Sequence, residues 1–507
     1  MAIADLRVTP PHEARTVRDT GIDLVRAMCV VGVVVLHSLM VGVTVTDAGP
    51  VFANASEGSV WITPLSWVLQ VMPLFFVIGG FAGYTSFARS RRRGGTGASF
   101  ASARIHRLLL PAVFTVAIVG AALTALLISG VPDDLVGIAG YRFGQPLWFL
   151  AVFLLCQVLL PALARAHERA PWRTIGLLVA AAVIVDAARI TTGDAVFGIL
   201  NLAFVWLALQ QLGFFLADGR IASLSRRTRA VIGVAAVGGL LLSFAAGIHS
   251  TDLIENINPP TTALLLVGAA HTMLMSLMRD RLNTWSVTPV GTVLRTFITP
   301  RAMTIYLWHM PVLLAMAGGS AVLSIVTGLA LPQPSSLGWW MTRPLWLAVV
   351  FILTAGVAIA LARVESRTAP HHTGSSARLA ASAAVGIAAI AGLLVLGTTP
   401  LTAVIAVGLM LAALRLARSR RTDGAIQAGS APWPSRSPGS MASSRTAIEN
   451  AKTSGNASAP PPSVATPSPA SATATADPVA SEMDRADELN PALPGAEYAR
   501  VSTVSLG

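Results

Sequence analysis

The chain has 507 residues, of which 54% are hydrophobic and 12% charged; a soluble protein of this size carries about twice that share of charge. The charges fall in short clusters, and between them lie apolar runs of roughly 17–25 residues, long enough as helix to cross about 30 Å of hydrocarbon. A soluble domain is excluded. Backbone groups in lipid must find partners within their own segment, so the pattern predicts an all-α, polytopic transmembrane bundle.

In chain order, residues 1–21 form a polar tail, and the first apolar run begins near Ile22. That run is too long for a signal sequence and no Ala-x-Ala cleavage site follows it, so it is expected to remain as the first helix. Further runs fall at about 61–87, 108–130, 146–164, 174–189, 198–217, 230–248, 262–278, 302–330 and 344–362, the first itself spanning about 22–46. Together they predict ten core helices over residues 22–363. Two more runs, within 379–417, predict a C-terminal hairpin, its turn marked by Gly397-Thr398-Thr399-Pro400. Residues 422–507 are rich in Ala, Ser, Pro and Thr and cannot bury enough apolar surface to offset chain entropy, so a disordered tail is expected there.

Arginine placement predicts orientation. The loops at 88–107, 165–173, 218–229, 279–301 and 363–378 are arginine-rich, whereas 47–60, 249–261 and 398–400 have none and 131–145 and 331–343 have one each, Arg142 and Arg343. This alternation predicts that both termini lie in the cytoplasm; the plasma membrane is the expected location. The excess of 36 basic over 24 acidic residues is therefore topology, and no nucleic-acid partner is expected. Cys29 and Cys156 both fall inside apolar runs and read as small buried hydrophobes; no metal site is expected.

Ionisable residues inside lipid are costly and are functional candidates. In the first helix Arg26 and His37 are eleven residues apart, about 20° from three full turns and about 16 Å along the axis, so they share a face. Asp23, three residues before Arg26, can pair with it. A lone His37 would read as a histidine satisfied by a neighbouring helix. The Arg26–His37 register favours a reagent lying along the face with its charged end at Arg26. In Arg104-Ile-His-Arg107 two guanidiniums share a face, suited to bidentate contacts with phosphate oxygens or simply to the inner membrane surface. The run Phe75-Phe76-Val-Ile-Gly79-Gly80-Phe81 carries small residues that admit a second backbone or a thin ligand. Tyr306 and His309 share a face in Tyr306-Leu-Trp-His309-Met-Pro311, either to orient an acceptor or to link helices. Trp148, in Gln145-Pro146-Leu147-Trp148, is placed as an interfacial anchor.

In this order these motifs resemble the acyltransferase-3 family of integral membrane acyltransferases. Arg26 and His37 resemble its Arg-x10-His signature, Arg104 and Arg107 its Arg-x-x-Arg motif, and the Phe75–Phe81 run its second-helix motif, with Gly79 where Ser is usual. Leu147–Leu150 and Tyr306–His309 are similar to its later signatures. Asn201-Leu202, Gln211-Leu212-Gly213 and Asn258-Pro259-Pro260-Thr261 look like an actinobacterial branch. The resemblance covers about residues 20–365. No Gly-Asp-Ser signature of the esterase-like domain of some relatives is present.

The resemblance implies a membrane-embedded O-acyltransferase with acyl-CoA, by default acetyl-CoA, as donor. The acceptor would be a hydroxyl on a glycan, lipid or secondary metabolite. It implies His37 as the catalytic histidine, supported by Arg26, with Arg104 and Arg107 holding the donor's phosphates. Asp23, Phe76, Gly79, Gly80, Trp148, Tyr306 and His309 are the candidates for the substrate site. Direct transfer with His37 as base and a two-step route through an acyl-histidine both fit. The rival class is a transporter or flippase, which would show related halves with broken helices; no such halves are evident.

Overall fold

The computed structural model of the protein describes residues 19–362 and 373–419. The start of the N-terminal tail, part of the 363–378 loop and the 422–507 tail lie outside the described residues. The fold is an all-α polytopic bundle. Eleven helices among the described residues are long and apolar enough to cross a membrane, and the predicted run at 262–278 is a shorter apolar helix, Ala263–Leu277.

The first helix, α1 (Thr20–Met40), starts where the Asp19 carboxylate accepts from the Ile22 N–H. It ends six residues before the apolar run does. Val41–Thr46 is β1 instead, paired antiparallel with β2 (Gly49–Asn54). The physical reason is local: the segment Val-Gly-Val-Thr-Val-Thr is rich in β-branched residues and carries a helix-weakening glycine. The predicted run at 61–87 is two helices, α2 (Ile62–Leu69) and α3 (Met72–Arg92), broken at Gln70, whose buried amide donates to the Leu253 carbonyl at 2.6 Å.

Helix α4 (Gly97–Ile128) starts eleven residues earlier than hydropathy predicts, because Thr96 and Ser99 form a capping box ahead of its arginines. The expected loop at 131–145 holds α5 (Asp133–Gly144), followed by α6 (Leu147–Arg169) and α7 (Pro171–Thr192). After a 3-10 turn come α8 (Asn201–Ala217), α9 (Arg226–Ala245), α10 (Ala263–Leu277) and α11 (Arg279–Ser286). Helix α12 (Pro289–Thr327) also starts early, capped by Thr288 with Pro289 in its first turn, and α13 (Leu337–Ala360) follows. The C-terminal hairpin is α14 (Ser376–Val395) and α15 (Pro400–Ala417).

Close helix packing fixes the elements that carry the candidate residues. Helices α3 and α8 cross closely through Gly80 and Gly213: a methyl group on Gly80 would run into the Gln210 carbonyl, and one on Gly213 into that of Val77. Helices α1 and α12 share a core of Ala27, Val30 and Val34 against Ile305, Met310 and Leu313. Arg279 donates to Asp19 at 2.6 Å and Asn283 accepts from the Gly21 N–H at 2.9 Å, fixing the start of α1 against α11. The hairpin shares one core with α4 and α6, in which Leu109 and Leu154 meet Ile390, Met410 and Leu414. Outward-facing Val183, Ile184, Val234, Leu242 and Ile352 are exposed, as a lipid-facing surface requires.

Candidate functional site

A cavity of about 1240 Å³ runs between the two ends of the bundle. At the end where α1 begins it is lined by Arg26, Arg104, His106 and Arg107, and at the other by Gln145, Asn258 and Gly397. Helix periodicity explains the α1 wall: Arg26, Val30, Val33 and His37 all face it. The face that Arg26 and His37 share is thus a cavity wall, with the guanidinium near one end and the imidazole deep inside.

The cationic end is built by α1 and α4. Arg26 lies 3.6 Å from Asp23, which is buried beside the cavity and does not line it. Arg104 lies over the Phe100 ring, 4.9 Å from its centroid, close enough to Arg26 and Arg107 to feel both charges. Among the described residues no carboxylate lies within ion-pair distance of Arg104 or Arg107. Arg26, Arg104 and Arg107 together line one mouth of the cavity and give it a positive field.

Deep in the cavity, α1 and α12 bring His37 and His309 together. Both rings line the cavity; His309 is fully buried and His37 half-buried, so His37 is the more accessible of the two. The ring centroids are 5.0 Å apart. Their hydrogen bonds assign the tautomers. The Nδ1 of His309 lies 2.5 Å from the Tyr306 carbonyl, which can only accept, so this nitrogen carries the proton. In the neutral ring Nε2 is then an acceptor, and it lies 3.2 Å from His37 Nδ1. His37 Nδ1 also lies 3.0 Å from the Val33 carbonyl, so it is the donor to both. The Nε2 of His37 is left with its lone pair available to a substrate.

Tyr306 holds this arrangement from the side. Its hydroxyl donates to the Pro146 carbonyl at 2.6 Å, tying α12 to the start of α6. Phe149 packs edge-on against its ring at 4.9 Å. Trp148 is more than an interfacial anchor: it lines the cavity and stacks on Trp206 at 5.6 Å. Gly79 lines the cavity opposite Phe153, whereas Gly80 lies in the α3–α8 crossing. Phe76 is buried against Trp206 at 4.4 Å, away from the cavity, and its neighbour Phe75 lines the wall. Arg26, His37, Gly79, Arg104, Arg107, Trp148, Tyr306 and His309 therefore meet around one space, and Asp23, Phe76 and Gly80 stand behind its walls.

Residues 19–363 match the family model described as an acyltransferase domain. The chain belongs to the acyltransferase-3 family. It is a multi-pass membrane acyltransferase. Comparison with curated proteins and with solved structures finds no match.

The acyltransferase cavity also has walls that sequence reasoning missed. His106 and Gln157 line it and are buried. His106 lies between the two arginines of a stretch already singled out, and Gln157 is a lone amide in an apolar run, so each carried a signal. The C-terminal hairpin, outside the matched domain, contributes Ile387, Ala391, Leu393, Leu394 and Val395. Among the described residues no group of three or more His, Cys, Asp or Glu could hold a metal ion.

Proposed function

We propose that this acyltransferase takes an acyl group, by default acetyl, from cytoplasmic acyl-CoA and transfers it to a hydroxyl of a glycan, lipid or secondary metabolite. In this reading it sits in the plasma membrane with its termini in the cytoplasm, and the arginine end of the cavity opens inward. The observation that carries the reading is a single cavity with three guanidiniums at one end and the free Nε2 of His37 in its interior.

The chemistry follows from that spacing. Arg26, Arg104 and Arg107 meet the donor's phosphates through charge-assisted hydrogen bonds. Arg26 and His37 are about 16 Å apart along α1, a span suited to the extended pantetheine arm, which would bring the thioester to the imidazole. The acceptor oxygen attacks the thioester carbonyl carbon as His37 Nε2 takes its proton. The C–S bond then breaks, and the departing sulfur takes the proton from the imidazolium. His309 acts as a positioning residue: its Nε2 accepts from His37 Nδ1, which turns the free nitrogen of His37 toward the cavity and supports the positive charge as it forms. In the two-step route the same Nε2 would attack the thioester carbonyl carbon, the C–S bond would break to release CoA as thiolate, and the acceptor oxygen would then take the acyl group from the acyl-imidazole, its proton passing to the thiolate and the neutral ring being restored.

The test is release of CoA thiol from acetyl-CoA by purified protein in lipid nanodiscs, with glycan and lipid hydroxyl acceptors. Acceptor-dependent release that falls about 100- to 10,000-fold in His37→Ala, the usual range for loss of a general base, is the expected result. Release that survives the substitution would remove His37 from the chemistry, and no release from any acyl-CoA by folded protein would overturn the donor assignment.

A further inference from the structure

The hairpin α14–α15 lies beyond the matched acyltransferase domain, yet it is built into the cavity wall. Its turn is seated by close approach: an added methyl on Gly140 of α5 would run into the Thr398 carbonyl, and one on Gly144 would lie 3.0 Å from Thr398 Oγ1. Along its length Gly386 faces Leu109 and Leu154, Gly120 faces Ala403, and Ser382 donates to the Ala413 carbonyl at 2.7 Å. None of this is the packing of a loose appendage.

The cavity-facing residues of α14 are Ile387, Ala391, Leu393, Leu394 and Val395, one turn apart at first and then consecutive, and they cover about 12 Å along the helix. This strip runs toward the mouth at Gln145 and Gly397, the end opposite the three arginines. Ala203 and Phe204 of α8 line the same cavity. Neither face offers a side-chain hydrogen-bonding group. Polar side chains, Gln145 and Asn258, lie at the mouth beyond the strip; a bare sugar against the strip itself would leave hydroxyls unpartnered, whereas an alkyl or prenyl chain would match it.

We propose that the C-terminal hairpin is the acceptor-selecting wall of the cavity, and that the acceptor is amphiphilic, with an apolar chain lying along α14 and its hydroxyl directed to His37. This rests on the acyl-transfer reading above. The chain enters from the end opposite the donor, so donor and acceptor meet at the histidine pair from two sides. The reaction then leaves the chain untouched and modifies only the polar end.

The probes are methyl and octyl β-glucoside as acceptors, with acetyl-CoA as donor and the protein in nanodiscs. Octyl glucoside partitions into the bilayer by itself, so the readout is the octyl-to-methyl turnover ratio compared between variants. Ala391→Phe narrows the strip and is expected to lower that ratio at least tenfold. Val404→Phe, on the exposed face of α15, is expected to leave it unchanged. An equal ratio in wild type and Ala391→Phe would overturn the proposal. So would a switch in preference between acetyl-CoA and hexanoyl-CoA at a constant ratio, because the strip would then hold the donor's acyl chain. A second measurement needs no turnover: octyl glucoside carrying a chain-end diazirine should label the Ile387–Val395 peptide, in His37→Ala as in wild type, with competition by octyl and not methyl glucoside. Labelling confined to lipid-facing positions such as Leu401 and Val404 would also overturn it. Labelling of the strip without His37-dependent CoA release would instead reject the transfer chemistry and keep the binding wall.

Discussion

The histidine pair makes a prediction that separates positioning from mere packing. In His309→Leu a fully buried ring gives way to a side chain of similar bulk, so the local core remains filled. What is lost is the acceptor at 3.2 Å from His37 Nδ1. In the resting enzyme that loss is small, because the Val33 carbonyl at 3.0 Å still accepts from the same N–H. In the transition state of the proposed transfer the His37 ring becomes cationic, and a hydrogen bond to a charged group contributes about 1.5–3 kcal/mol. At about 1.4 kcal/mol per tenfold, kcat should fall roughly 10- to 150-fold with KM for acyl-CoA little changed. His309→Gln keeps a side-chain oxygen within reach of the same position and should recover most of the loss. The assay is steady-state CoA thiol release, with thermal unfolding of each variant in nanodiscs to confirm folding. Equal activity of the Leu and Gln variants, or a loss confined to KM, would refute the relay and leave His309 as a packing residue.

Arg104→Gln and Arg107→Gln should each raise KM for acyl-CoA on the order of tenfold or more with kcat largely kept, as removal of a charge-assisted phosphate contact predicts; titration of CoA binding by calorimetry checks this, and loss of kcat alone would contradict it. The adjacent glycines of α3 should behave differently. Gly80→Ala drives a methyl into the backbone carbonyl of Gln210, which cannot yield without moving α8, so destabilisation of about 1–3 kcal/mol and a lower Tm are expected. Gly79→Ser places its new Cβ 3.2 Å from the edge of the Phe153 ring, which can shift, so Tm should hold while turnover changes; a matching drop in Tm would show Gly79 to be packing as well. Thr288→Ala removes the hydroxyl that accepts from the Gly291 N–H at the start of α12, and should cost about 1 kcal/mol of stability in thermal unfolding.

Sequence made some of this visible and hid the rest for identifiable reasons. Hydrocarbon thickness imposes a length on a crossing helix, so the apolar runs were legible as spans. Their ends were not. Helices α4 and α12 begin in polar sequence, where hydropathy reads loop, yet Thr96 and Thr288 cap them there. The strand at Val41 was lost inside an apolar run because hydropathy does not separate β-branched residues from other apolar ones.

The same division holds at the candidate site. Arg26 and His37 share a face by the period of one helix, and one helix is all that spacing can describe. Phe75 and Phe76, or Gly79 and Gly80, differ by about 100° around α3, and only the neighbours α6 and α8 decide which member of each pair faces the cavity. The hairpin was legible as two helices and silent about its wall, because a lining residue such as Ala391 looks like any other apolar residue. Tyr306 and His309 illustrate the limit most sharply. Their i, i+3 spacing left two readings open, a hydroxyl and an imidazole orienting an acceptor together or a polar link between helices. In the structure the hydroxyl turns away to the Pro146 carbonyl, and it is the backbone carbonyl of Tyr306 that fixes the His309 tautomer. The proton on His309 Nδ1 in turn frees its Nε2 to hold His37. Tyr306 therefore bears on the orientation of His37 through an atom common to every amino acid, which no side-chain motif can encode.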